Sequence, residues 1–289
     1  MTSELWPNTL VSTDWLTENL SNPNVRILDG STHLLPKPDF SLYDVVPAIE
    51  EYKNAHIPQA QFLDIEHELS TPHPRLHFML PSSDLFAKTM SRYGVSDDSM
   101  VVTYSTTNHW WATRLWWTLR VFGHKNVAVL DGGFQKWQAE NRPVESGEAK
   151  PTNAGSYTAR DPNFSLVADK DSILRHLESN SVCLINALRR EQHEGQGGVH
   201  YGRRGRITNS INLPALEHVN ADNTFKSIDE LKTIFSDVLP QKEIITYCGG
   251  GIAATSVALA LDMLGHKNVK VYDASLTEWA EDETLPMDV

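Results

Sequence analysis

At 289 residues, with 40% hydrophobic and 21% charged residues, the chain has room for one large domain or two ordinary ones, and its composition is that of a soluble globular protein. A formal charge of −12, from 25 basic against 37 acidic residues, argues against non-specific nucleic-acid binding, although a local basic pocket stays compatible with it. No run approaches the roughly 18 to 20 apolar residues of a membrane span, and two cysteines, Cys183 and Cys248, are too few for a disulfide framework or a four-cysteine zinc site.

From the N-terminus, residues 1–20 carry Glu4, Asp14 and Glu18 without a basic region before an apolar core, so no signal peptide is expected, and a reducing, cytoplasmic setting is the simplest expectation. Residues 14–20 read as helix and Val25–Asp29 as strand. Residues 101–104 are a short apolar run bounded by turn signals, as in a buried strand of a parallel sheet. A helix-like run follows, with Trp110, Trp111, Trp116 and Trp117 at spacings that suit a packed inter-domain contact, the alternative being the mouth of a cleft. Val127–Leu130 is the next strand. Residues 145–163 hold Gly147, Pro151, Gly155 and Pro162 without apolar period and read as a linker.

The second half repeats the first. Residues 101–137 and 244–279 share Thr-Tyr, a loop, a helix-like run, Gly-His-Lys-Asn-Val, Asp and Trp in the same order. One residue of length separates the copies, which marks a duplication. Here residues 169–177 read as helix and 182–186 as strand. Ser227 and Glu230 have capping-box spacing before Leu231, Ile234 and Phe235. Ile244–Tyr247 reads as a buried strand, residues 253–264 as a helix stopped by Gly265, and Val269–Tyr272 as a strand. Alternating helix and strand predicts an α/β fold with a mainly parallel sheet in each copy and helices on both faces. The expected domains are residues 8–145 and 163–289.

Cys248 closes a buried strand and opens Gly249-Gly250-Gly251-Ile252-Ala253, which runs straight into a helix. Open α/β sheets place ligands at the C-terminal ends of their strands. The glycines allow the backbone to curl with its N–H groups inward, and the helix adds its positive end. A thiol in that cradle is expected to exist largely as the nucleophilic thiolate, and the same donors would hold a persulfide anion. The bland reading is a small buried hydrophobe; the triple glycine before a helix start weighs against it. Cys183, inside its strand, reads as core.

These features resemble the tandem rhodanese-like sulfurtransferases, the family of thiosulfate and 3-mercaptopyruvate sulfurtransferases. The resemblance covers nearly the whole chain, through Ala55-His56-Ile57-Pro58, Phe62-Leu63-Asp64-Ile65, Met79-Leu80-Pro81-Ser82, Leu130-Asp131-Gly132-Gly133-Phe134, the Cys248 loop, Tyr272-Asp273-Ala274-Ser275-Leu276, Glu278-Trp279 and Leu285-Pro286. It implies a non-catalytic first domain, with Ser105 at the cysteine position, and a catalytic second domain. It also implies ping-pong transfer of a sulfane sulfur, without metal or organic cofactor, from a small anionic donor to cyanide or a thiol. Thiosulfate is slightly preferred as donor over 3-mercaptopyruvate.

The sequence departs from the family at the loop and the donor site. Rhodanese loops resemble Cys-Arg-Lys-Gly and mercaptopyruvate enzymes Cys-Gly-Ser-Gly; this chain has neither the cations nor the hydroxyl. Asn186-Ala187-Leu188 stands where the family has Asp-Ala-Arg, so Arg190, Arg204 and Arg206 are the candidates for binding the donor, against the alternative of a solvated basic patch. His56 matches a family motif and is read as more structural than catalytic. Ala254 stands where related phosphatases need arginine, which rejects that chemistry. Persulfide relay with a protein partner, as donor or acceptor, and a sulfur-responsive binding module remain open.

Overall fold

The computed structural model describes residues 9–150, 152–179 and 182–289, without the side chains of 178 and 179. Glu4, Pro151 and the expected domain start at residue 8 lie outside the described residues.

The first half contains β1 (Leu10–Val11), β2 (Val25–Asp29), β3 (Thr32–Pro36), β4 (Tyr43–Pro47), β5 (Gln61–Phe62), β6 (Met100–Tyr104) and β7 (Val127–Leu130). Its helices are α1 (Thr13–Asn19), α2 (Ile49–Asn54), α3 (Ile65–Glu68), α4 (Ser83–Arg92), α5 (His109–Val121) and α6 (Gly133–Ala139). The second half contains β8 (Val167–Ala168), β9 (Cys183–Asn186), β10 (Arg206–Ile207), β11 (Ile211–Asn212), β12 (Ile244–Tyr247), β13 (Val269–Tyr272) and β14 (Met287–Asp288). Its helices are α7 (Lys170–Ser179), α8 (Arg190–His193), α9 (Ile228–Ile234), α10 (Ala253–Met263) and α11 (Ser275–Trp279).

Each half forms a five-stranded sheet in which every pairing is parallel. The orders, β5-β2-β6-β7-β1 and β11-β9-β12-β13-β8, are the same topology built twice. β6 and β12 lie at the centres, and all four residues of β12 are buried, which suits a strand covered on both faces. The Ser227–Glu230 capping box forms, with the Glu230 carboxylate accepting from the Ser227 N–H at 3.0 Å, and fixes the start of α9. Outside the main sheets, β3 and β4 make an antiparallel hairpin and β10 pairs with β14.

α5 and α10, the helices that follow the equivalent loops, pack against each other and join the halves. Small residues at the crossing let the two hydroxyls of Thr113 and Thr255 approach to 2.8 Å. The tryptophans divide between two roles. Trp111, Trp116 and Trp117 are buried, and Trp117 donates to the Leu166 carbonyl of the second half at 3.3 Å, whereas half-buried Trp110 and buried Trp111 line the cleft described next. No described helix is long and apolar enough to cross a membrane.

Candidate active site

β12 delivers Cys248 to the C-terminal edge of its sheet, where the side chain is 2% exposed on the wall of a cleft of about 660 Å³ between the two halves. Gly251 has φ +72°, and a Cβ there would overlap the Asp273 carbonyl, so both conformation and space require glycine. A Cβ at Gly249 would overlap the Tyr201 ring. At Gly250 the nearest contact would be Thr277 Oγ1 at 3.8 Å, so space does not demand the middle glycine.

A hydroxyl anchors the loop from below. Ser275 Oγ accepts from the N–H groups of Cys248 and Gly251, both at 3.1 Å, and donates to the Tyr272 carbonyl at 2.7 Å. Ser275 holds this position in a left-handed conformation (φ +52°); the residue at the same place in the first copy is Gly133 (φ +56°). Thr277 clamps the Gly249 carbonyl through its N–H at 2.9 Å and its hydroxyl at 2.8 Å. The cradle thus differs from expectation at one position, because the N–H of Gly251 is occupied by Ser275. Those of Gly249, Gly250, Ile252 and Ala253 donate to no acceptor among the described residues and stand at the start of α10.

The three arginines expected at the donor site lie elsewhere. Exposed Arg190 faces Glu217 at 3.8 Å, Arg204 donates to the Gly198 carbonyl at 3.4 Å, and Arg206 donates to the His193 carbonyl at 3.4 Å. None of them lines the Cys248 cleft, whereas Arg189 does. The reason is local: α8 begins at Arg190, so one step along the chain turns the side chain off the cleft wall. Residues 203–206 are drawn toward the C-terminal segment, where Arg203 donates to the carbonyls of Trp279, Ala280, Asp282 and Leu285. His56 is buried in the first domain, stacked on Tyr52 with ring centroids 3.9 Å apart and donating to the Tyr52 carbonyl at 2.8 Å. It does not line the Cys248 cleft.

Features the sequence reading passed over complete the site. The tip of the β3–β4 hairpin reaches across the cleft, where the Phe40 carbonyl accepts from the His200 N–H at 3.0 Å and the Leu42 N–H donates to the His200 carbonyl at 3.1 Å. Tyr43 on this strap lies 6.3 Å, ring to ring, from Tyr201. Burial, with Tyr43 and Cys248 beside it, pushes the Tyr201 hydroxyl well above its ordinary pKa, so it stays a protonated donor. The apolar pairs Leu34-Leu35 and Val45-Val46, on either side of the turn-forming Pro36-Lys37-Pro38-Asp39, were the available signal for this hairpin.

Arg114 was also missed. From α5 of the first half it donates to Asp273 Oδ1 at 2.6 Å, to the Gly251 carbonyl at 3.2 Å and to the Phe78 carbonyl, with its guanidinium 4.7 Å from the Trp117 ring centroid. Asp273 Oδ2 accepts the Leu80 N–H at 2.9 Å. The cysteine loop therefore rests on a buried ion pair that bridges the halves. In the first half, Ser105 sits in hydroxyls instead: the Thr107 N–H donates to its Oγ at 3.0 Å, and the Thr106 N–H donates to Ser31 Oγ at 2.7 Å. Among the described residues, no group of three or more His, Cys, Asp or Glu is placed to hold a metal.

The rhodanese-like domain family matches residues 12–140 and 171–282. Thiosulfate sulfurtransferase of Mus musculus is 34% identical over 281 residues, covering 93% of this chain and 91% of its own. Sulfur carrier protein TtuD of Thermus thermophilus is 32% identical over 297 residues, covering 97% and 96%. The crystal structure of SseA from Escherichia coli, a 3-mercaptopyruvate sulfotransferase, superposes with a TM-score of 0.81 at 33% identity, covering 93% of this chain and 99% of that one.

Proposed function

The chain belongs to the rhodanese family, and from that premise we propose that it is a sulfurtransferase that carries a sulfane sulfur as a persulfide on Cys248. The observation that carries this reading is a cysteine on the wall of a cleft beside four backbone N–H groups with no acceptor among the described residues. In the first step the Cys248 thiolate attacks the outer sulfur of thiosulfate, whose S–S bond breaks to release sulfite, or the thiol sulfur of 3-mercaptopyruvate, whose C–S bond breaks to release the pyruvate enolate that takes up the thiol proton; Cys248–S–S⁻ remains. The N–H groups of Gly249, Gly250, Ile252 and Ala253 face the charge of that anion, and the dipole of α10 adds to them. In the second step a thiophile attacks the outer sulfur and Cys248 departs as thiolate, which is ping-pong chemistry. Arg189, at the cleft, takes the donor-binding role first assigned to Arg190, Arg204 and Arg206. Both cysteines are free, which suits the reducing cytoplasm.

Relay from a protein persulfide is the second reading, favoured by the resemblance to a sulfur carrier protein; the 2% exposure of Cys248 weighs against it. The test is thiocyanate formation from cyanide with each donor, beside Cys248→Ser. Turnover should vanish in the variant, and mass spectrometry should find one added sulfur on Cys248 of the wild type. Equal turnover by both proteins sinks the proposal.

A further inference from the structure

The two donors of the proposed reaction make different demands on the cleft. Thiosulfate releases sulfite, a stable anion that leaves without a proton. 3-Mercaptopyruvate releases an enolate, a strong base, and its departure is slow unless an acid meets the charge as the C–S bond breaks. The cysteine loop offers no such acid. Gly249, Gly250 and Gly251 carry no side chain, and the hydroxyls beside them are committed, Ser275 to the Tyr272 carbonyl at 2.7 Å and Thr277 to the Gly249 carbonyl at 2.8 Å.

Besides Cys248 and Arg189, the titratable side chains lining the cleft are, among the described residues, His33, Tyr43, His77, Glu191 and Tyr201. His33 is paired with Glu51 at 2.9 Å, His77 is paired with Glu66 at 2.6 Å, and Glu191 is exposed. Tyr201 is placed differently. Its ring and hydroxyl fill the space that a Cβ on Gly249 would take, so the phenol lies against the residue next to Cys248. The side chains of Gln192 and Tyr43 are its hydrogen-bond partners, and half-buried Tyr43 gives protons a route along the strap. The phenol stays protonated beside the sulfur, as an acid in this position must.

Resting on the persulfide reading, we propose that Tyr201 is a catalytic residue of this cleft, the acid that serves a donor whose sulfur is bound to carbon. The Cys248 thiolate forms the new S–S bond, the C–S bond breaks, and its electron pair passes into the enolate. Tyr201 Oη–H gives its proton to the enolate oxygen. The phenolate then takes the proton that the donor sulfur carried, leaving Cys248–S–S⁻, the Tyr201 phenol and the enol of pyruvate, with no external oxidant or reductant.

The experiment follows persulfide loading of Cys248 in the full-length protein by rapid-quench mass spectrometry, with 3-mercaptopyruvate and with thiosulfate. It reads the ratio of the two second-order rate constants or, where thiosulfate does not load, the ratio to alkylation of Cys248 by iodoacetamide. Tyr201→Phe keeps the ring against Gly249 and removes the proton, so the ratio should fall about a hundredfold. Loading of the wild type from 3-mercaptopyruvate should also slow in heavy water, an effect absent from the variant. Loss of folded protein lowers every rate alike and leaves the ratio in place. An unchanged ratio in Tyr201→Phe overturns the assignment, and so does a wild type that loads from thiosulfate alone. Failure of Cys248 to load from either donor overturns the persulfide reading as well.

Discussion

The chain's two cysteines stand at opposite ends of their strands, Cys183 opening β9 and Cys248 following β12, and their surroundings separate them. Burial in β9 pushes the Cys183 thiol up to about 11, leaving it a protonated core residue. Cys248 stands where its strand ends and a glycine turn begins, and the demands on those glycines are unequal. Gly251→Ala places a Cβ against the Asp273 carbonyl at a positive φ; it should destabilise the protein by about 1 kcal/mol or more and abolish sulfur transfer. Gly250→Ser has room beside Thr277 Oγ1 and should fold with its urea midpoint unchanged. Denaturation and thiocyanate assays on the pair check both. The glycine run was legible in the sequence. Its supports were not, because Ser275 and Asp273 meet the loop only through β13, and nothing local in Asp-Ala-Ser announces a hydroxyl beneath a distant cysteine.

The inner strands of the two sheets could be read closely, since Val25–Asp29, Val127–Leu130, Ile244–Tyr247 and Val269–Tyr272 are short buried runs between turn signals, whereas the two-residue strands β1, β5, β8 and β11 are too short to carry a pattern. Side-chain direction in the irregular segments could not, and the arginines show why: a helix starting at residue 190 sends neighbours 189 and 190 to different environments. The helices and turns also carry buried histidines whose titration has a definite sign. Burial holds His109 of α5 and His193 of α8 at about 4 and His218 at about 3, against an ordinary 6.5. The unfolded chain takes up these protons as pH falls through 6.5 and the folded chain does so only near 4, so acidification destabilises in between. Asp29, raised by burial from 3.8 to about 6, and Asp131, raised in the same sense, oppose this by binding protons first in the folded state. His77, raised by its contact with Glu66, opposes it too, but His124 and His176 are lowered by burial like the other three, and these five outweigh the three opposing groups just below pH 6.5. The urea midpoint should therefore fall from pH 7 to pH 5. His218→Leu, which removes a ring with no partner for either nitrogen, should raise stability more at pH 5 than at pH 7. A midpoint that is flat or rises on acidification counts against this balance.

At the scale of the whole molecule the duplication is symmetric in backbone and asymmetric in chemistry. Asp131 accepts the Phe225 N–H at 2.8 Å and Asp273 the Leu80 N–H at 2.9 Å, so each half closes on the other through the same residue of the repeat. Arg114 breaks the symmetry by extending from the half without a cysteine to the carbonyl of Gly251. Arg114→Met leaves Asp273 buried without its partner and should cost about 3 to 5 kcal/mol. Adding Asp273→Asn should cost less than the sum of the single changes, measured by urea denaturation across the double-mutant cycle. Additive costs would mean that the pair is not coupled.

Interlocking of this kind has a consequence during synthesis. α5 leaves the ribosome well over a hundred residues before α10, an interval of roughly ten seconds at ordinary elongation rates. Throughout it, the Arg114 guanidinium and the surface around Trp110 and Thr113 await a counterpart not yet translated, and the nascent first half presents that unpaired surface to whatever chaperone attends it.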